Sequence, residues 1–157
     1  MNMLDLVEIV RQIFIKHQID FEYEVMQEAR VIFHWNKVMY DPGLSAQNVM
    51  LDYTVDPEEQ DIYLGLIRVP SIYRGKGIGM ELVEAVKRYA DEFGYSVILE
   101  SADENIDFWK KEHFSSFLHE DYGFWIMGYG GEGKPHWLKN WRHLKDELYS
   151  VPPMFKH

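Results

Sequence analysis

Three glycines at every second position, 75, 77 and 79 in "IYRGKGIGMELVEAV", run directly into a helical pattern. Glycine loses more conformational freedom on folding than any other residue. Such a cluster therefore marks a place where the backbone needs positive φ, or where something must approach it without meeting a Cβ. Upstream, "DIYLGLIRV" (61–69) reads as a strand that ends at Pro70, a residue with no N–H to extend a ladder. Downstream, Leu82, Val83, Val86, Tyr89, Ala90 and Phe93 recur at three- and four-residue spacings, and Gly94 stands where a helix-ending glycine belongs. A strand that delivers a glycine loop to a helix start gathers outward N–H groups at the positive end of the helix dipole, which suits a phosphate or pyrophosphate. Arg74 and Lys76 add formal charge there.

The remaining segments form short elements around this unit. "MNMLDLVEIVRQIFIKH" gives an amphipathic helix over 3–17, followed by three strands, "FEYEVMQ", "ARVIFHW" and "NVMLDYTV", with the turn cluster "YDPGLS" between the last two. After Gly94, "YSVILES" reads as a buried strand and "DENIDFWKKEHF" as a short helix with Asp103 as its cap. Residues 114–130 read as two strands joined at "HEDYG". Trp137, Trp141, Leu144 and Leu148 share one face of a C-terminal helix over 134–149, joined through glycines at 128–133 that read as a hinge. That stripe needs cover, from its own domain or from a second subunit in a homodimer. At 157 residues and 46% hydrophobic, the chain suits one domain over 1–157 with a substantial core. The expected fold is α/β (α+β): a twisted, mixed, mostly antiparallel sheet flanked by helices, with an extra C-terminal helix.

Charge and composition exclude several classes. A formal net charge of -10 argues against phosphate-backbone binding to nucleic acid, which needs a basic footprint, and favours encounter with a cationic partner such as an amine. The basic residues Arg68, Arg74, Lys76, Lys87, Arg88, Lys110 and Lys111 fall between 68 and 111, so the central third can hold a polyanion. Cysteine is absent and no two histidines have tight ligand spacing, which leaves no expectation of a metal. The N-terminal helix carries charges among its apolar residues and reads as neither a membrane span nor a signal peptide, so a cytoplasmic location is expected.

The phosphate loop lacks the Walker A spacing and the Ser/Thr that would hold magnesium. The dinucleotide pattern G-x-G-x-x-G occurs at Gly128, Gly130 and Gly133, with no second βαβ unit to follow it. "RGKGIG" matches Arg/Gln-x-x-Gly-x-Gly/Ala, with Arg74, Gly77 and Gly79 in the defined positions. Here the chain resembles the GNAT superfamily of acetyl-coenzyme A-dependent N-acyltransferases. The resemblance covers "LGLIRVPSIYRGKGIGMELVEAVKRYADEFGYSVILE" and the later "ENIDFWKKEHF"; it is good over 61–114 and extends to 129.

The resemblance implies a GNAT-like fold and acetyl-CoA as cofactor. Backbone groups of Ile67, Arg68 and Val69 would meet the pantetheine arm, and the loop Arg74, Gly75, Lys76, Gly77, Ile78 and Gly79 would wrap the pyrophosphate. Asn105 is the nearest match to an asparagine that contacts the cofactor, with Asp103 as the other register. Two positions depart from the family. Trp109 replaces a frequent tyrosine that protonates the departing thiolate, and an indole N–H has no useful acidity. His113 replaces the glycine before Phe114. The remaining acid candidates are Tyr63, Tyr122 and His113, or water.

For direct transfer to an amine, the base candidates are Glu100 and Asp61, with Tyr63 between them. Period-two alternation puts Glu100 on the face of Ile98, while Asp61 at a strand start is expected to be solvated. The short segment before the second strand leaves little room for a second helix, which implies a wide acceptor cleft. The acceptor is an amine of a small molecule or a protein. Two other classes remain: a catalytically silent acyl-CoA-binding module or regulatory partner, suggested by Trp109, and a nucleotide-binding protein using the same loop.

Overall fold

The structure, a computed structural model, describes residues 3–27, 30–36, 41, 48–120 and 123–148, without the side chains of 3, 4 and 143–148. Among them the chain runs α1 (Met3–Lys16), β1 (Phe21–Met26), β2 (Arg30–Trp35), β3 (Val49–Asp56) and β4 (Asp61–Ile67). It continues through α2 (Ile78–Phe93), β5 (Ser96–Ala102), α3 (Ile106–Lys111), β6 (Ser115–His119), β7 (Phe124–Gly130) and α4 (Lys134–Leu148). Among the described residues no second helix stands between α1 and β1. The seven strands form one sheet in the order β1-β2-β3-β4-β5-β7-β6. Each neighbouring pair is antiparallel except β4 and β5, which run parallel because α2 carries the chain back to the edge where β4 began. This is the mixed, mostly antiparallel architecture expected from the sequence.

Strand alternation divides the core between two faces. On the first, Val31, Phe33, Tyr53, Leu64, Val97 and Leu99 pack with the apolar stripes of α1 and α2. On the second, Ile98 and Ile126 pack under Trp137 and Trp141 of α4. With helices on both faces, Val97, Ile98 and Leu99 are all buried, which is why this strand shows no polar alternation. The α2 helix starts after Gly77 at φ 75 and stops at Gly94 at φ 72, whose N–H reaches the Ala90 carbonyl.

Four details differ from the sequence reading. The β4 ladder ends at Ile67 rather than Val69, although the Arg68 amide still donates to the Met50 carbonyl at 2.8 Å. Asp103 does not cap α3; its carboxylate accepts the Trp125 indole N–H at 2.6 Å, and Asn105 stands at the helix start with no side-chain cap bond. His113 lies one residue past the α3 cap with φ 69, its N–H on the Lys110 carbonyl and that of Phe114 on the Trp109 carbonyl. It fills the left-handed slot of a Schellman ending, where glycine is usual.

The fourth difference is Gly128, which is a packing site rather than a hinge. A Cβ there would lie 2.2 Å from the Trp137 ring, so the absence of a side chain lets α4 rest on β7. The turn is made by Gly130, Gly131 and Gly133, all at positive φ. The part of the aromatic stripe formed by Trp137 and Trp141 is covered by its own sheet; the side chains of Leu144 and Leu148 lie outside the described residues.

Gly128→Ala forces a methyl group into the Trp137 ring and should lower stability by about 1–3 kcal/mol, with a red shift of tryptophan fluorescence. Thermal unfolding followed by fluorescence measures both. An alanine variant as stable as the parent contradicts this seating of α4.

Candidate functional site

The parallel pairing of β4 with β5 covers Asp61 to Leu64 against Ser96 to Leu99, and then stops. Both strands continue, β4 to Ile67 along β3 and β5 to Ala102 along β7. They therefore part, leaving the far end of β4 unpaired on its β5 side. Because the Arg68 amide points to β3, alternation turns the N–H groups of Ile67 and Val69 toward the gap.

A cavity of about 460 Å³ opens at this parting. Ile67, Arg68, Val69, Arg74, Gly75, Gly77, Ile78, Gly79, Asn105 and Trp109 line it, so ten of the eleven residues expected at a cofactor site converge there. Lys76 does not line it; its ammonium sits 5.7 Å from the centre of the Tyr73 ring. The cavity is also lined by Tyr73, Met80, Val83 and Phe108, which the sequence reading missed. Two of these, Met80 beside the loop and Phe108 on α3, are exposed apolar side chains, which only the folded structure reveals.

The loop's conformation explains its glycines. Gly75 and Gly77 have φ 81 and 75, and a Cβ at either would meet nothing within 4 Å. The requirement there is backbone handedness, not crowding within the protein. The first amide paired inside α2 is that of Glu81, to the Gly77 carbonyl at 3.0 Å, so those of 78–80 precede the helical ladder. Gly77 offers no side chain to cap them. Arg74 braces the loop through its Nε, which donates to the Val69 carbonyl at 3.1 Å.

Glu100 is the first residue of β5 beyond its last pair with β4, at the base of the gap. It is half-buried, and the half-buried Tyr63 hydroxyl donates to its Oε1 at 3.3 Å. Both side chains lie on the second face of the sheet, as alternation from Ile98 required. Nearby on that face, Arg30 grips Asp52 with two hydrogen bonds of 3.0 and 2.6 Å, a pair absent from the sequence reading. The Asp52 hydrogen bond raises the guanidinium pKa further and keeps it charged. Of the acid candidates, Tyr63 is at the gap, His113 is an exposed helix-end residue, and Tyr122 lies outside the described residues.

Asp61 is not solvated. It is fully buried, and it stands at the end of β4 opposite the cavity, about 20 Å along the strand from Ile67. The Asn140 amide donates to its Oδ2, and His136 Nε2 lies 3.3 Å from its Oδ1. Burial pushes its pKa up to about 6, against the lowering effect of Asn140 and His136. The structure thus brings Tyr63 and Glu100 together and separates Asp61 from both the gap and the cavity.

Fold and site define an α/β protein with an anion-receptive loop at the parted edge of its sheet. The model of the Acetyltransferase (GNAT) family matches residues 43–114, the span that holds β3, β4, the loop, α2, β5 and α3. What this match supports is a GNAT acetyltransferase domain at residues 43–114. Among solved structures, Ard1 from Thermoplasma volcanium is 20% identical, over 68% of this chain and 72% of that one, with a TM-score of 0.44. The PaiA N-acetyltransferase from Thermoplasma acidophilum in complex with coenzyme A is 13% identical, over 75% and 65%, at 0.44. An acetyltransferase from Thermus thermophilus is 16% identical, over 67% and 66%, at 0.46. No curated protein matches the chain. Among the described residues there is no cluster suited to a metal ion and no helix long and apolar enough to cross a membrane.

The raised pKa of Asp61 has a stability consequence. Its folded value lies above the unfolded one, so the folded state holds the proton more tightly. Its contribution is most favourable below about pH 4 and is lost as pH rises to about 6. Asp61→Asn keeps an acceptor for Asn140 and removes the charge. Denaturant titrations at a series of pH values should show the variant gaining on the parent across this window, by up to about 3 kcal/mol above it. A constant difference from pH 4 to 7 contradicts the burial of an ionising carboxyl.

Proposed function

We propose that the protein is an acetyl-CoA-dependent N-acetyltransferase that passes the acetyl group directly to an amine of a small molecule or a protein. The observation that carries this reading is the convergence of the glycine loop, the α2 start and the unpaired edge of β4 on one cavity. The cavity suits the pyrophosphate and the pantetheine arm of coenzyme A. Amides 78–80 and the open backbone at Gly75 and Gly77 suit the pyrophosphate. The inward N–H groups of Ile67 and Val69 suit the amide-rich pantetheine arm, which would lie in the gap like a further strand. Val83 and Trp109 supply an apolar wall.

The cofactor would supply an activated thioester; the chain supplies position and proton handling. Glu100, at the base of the gap, receives the proton of the incoming amine, directly or through one water. Tyr63 orients that carboxylate through its hydroxyl. A free N–H at the unpaired edge of β4 is the donor for charge that develops on the carbonyl oxygen. Trp109 packs edge-on against Phe108 and Phe114, at 5.0 and 5.3 Å between ring centres, and serves as a wall rather than an acid. The thiolate takes its proton from Tyr63 or from water.

A silent acyl-CoA-binding module is the reading this one must beat, and Glu100→Gln separates them. The Gln variant keeps the shape and loses the basicity. In an assay of coenzyme A release over a panel of amines, it should turn over about a hundredfold more slowly, with coenzyme A affinity nearly unchanged and the acidic limb of the pH profile gone. Retained activity and an unchanged limb remove Glu100 from the mechanism. No release with any amine, in a protein that binds coenzyme A, favours the silent module.

A further inference from the structure

The α4 helix lies outside the family-matched segment, yet it meets Tyr63, the hydrogen-bond partner of Glu100. Asp61 and Tyr63 point to the same face of β4, two residues apart, and consecutive residues of α4 engage them. Asn140 donates to Asp61, and the Trp141 ring lies 5.6 Å from the Tyr63 ring at 31°. A third point of attachment is Trp137, whose ring rests on Gly128 and whose indole N–H donates to the Gly130 carbonyl at 3.1 Å. These three contacts fix both the height and the rotation of the helix.

The Asp61 contact is an expensive way to hold a helix. A buried carboxylate with an amide partner stabilises less than well-packed aliphatic side chains would, but it tolerates only one geometry. Its surroundings are specific: His136 and Asn140 face it from α4, Asp56 lies across the β3 pair, Ser96 across β5, and Glu132 stands 3.7 Å beyond His136. A slip of α4 by one residue would bury Asp61 without its partner.

We propose that α4 is a positioning element of the transfer site. The Asp61–Asn140 bond sets the rotation of the helix that lays the Trp141 ring against the Tyr63 ring, and that contact holds the Tyr63 hydroxyl on Glu100. This rests on the assignment of Glu100 above. Trp141, Asn140 and Asp61 are positioning residues, since none touches the gap. A hydroxyl that donates to a carboxylate favours its charged form, so loss of the bond moves the acidic limb of the rate profile to higher pH.

The test is a double-mutant cycle of Trp141→Ala and Tyr63→Phe. Each single variant should lower kcat about tenfold, leave KM for acetyl-CoA within about twofold, and shift the acidic limb upward. The double variant should be no slower than either. Trp141→Phe keeps the ring contact and removes an indole N–H that is buried without a partner, so it should fold at least as well and restore kcat. Effects of the two substitutions that multiply, or a limb that stays in place, overturn the proposal.

A second arm needs no turnover. With ring-labelled tyrosine, the Tyr63 resonance should move in Asn140→Ala and in Trp141→Ala. An unmoved resonance overturns the proposal whatever the activity. If Tyr63 responds but no amine is acetylated by the parent, the positioning holds and the transfer reading is what fails.

Discussion

Two parallel strands that pair for four residues and then part are the constraint on which the site depends. The parallel direction follows from α2, which crosses back over the first face and so needs a loop at the end of β4. That loop must turn sharply into the helix, which left-handed glycines at 75 and 77 allow. Because the strands part just before the loop, the unpaired edge of β4 and the free amides of α2 open on the same space. A sheet paired to its end would leave the loop with a helix start but no groove leading to it.

The parting also sorts the polar residues. Glu100 sits at its base, with Tyr63 as a hydrogen-bond partner from the neighbouring strand, and the stretch of β5 that leads to it, Val97 to Leu99, is buried and apolar. The wider charge pattern agrees. A net charge of -10 favours cationic acceptors in encounter, whereas the cationic Arg68 and Arg74 are held where an anion would enter. The two faces carry different tasks: α1 and α2 build the larger core, and α4 closes the second face around a smaller aromatic cluster.

Much of this is legible in the sequence, because local pattern decides it. The periodicity of 78–93 and the apolar run at 97–99 define the central unit, and Arg74, Gly77 and Gly79 point to the cavity without any geometry. What the sequence misleads on depends on distant partners. Asp61 reads as solvated because the Asn140 that covers it is 79 residues away. Asp103 reads as a cap, but Trp125 on a later strand takes its carboxylate. Gly128 reads as part of a hinge because nothing local reveals that Trp137 lies against it. His113 is the reverse case: its place in a glycine slot is visible in the sequence, and its positive φ supplies the reason.

The central claim is that the glycine loop and the parted edge of β4 accept coenzyme A, and an amide chemical-shift titration of the isotope-labelled protein tests it most directly. The account predicts that coenzyme A moves the amides of Gly75 to Met80 together with those of Ile67 and Val69, and that equal concentrations of ATP or NAD do not reproduce the pattern. Largest shifts elsewhere in the sheet, or an equal response to NAD, would contradict it.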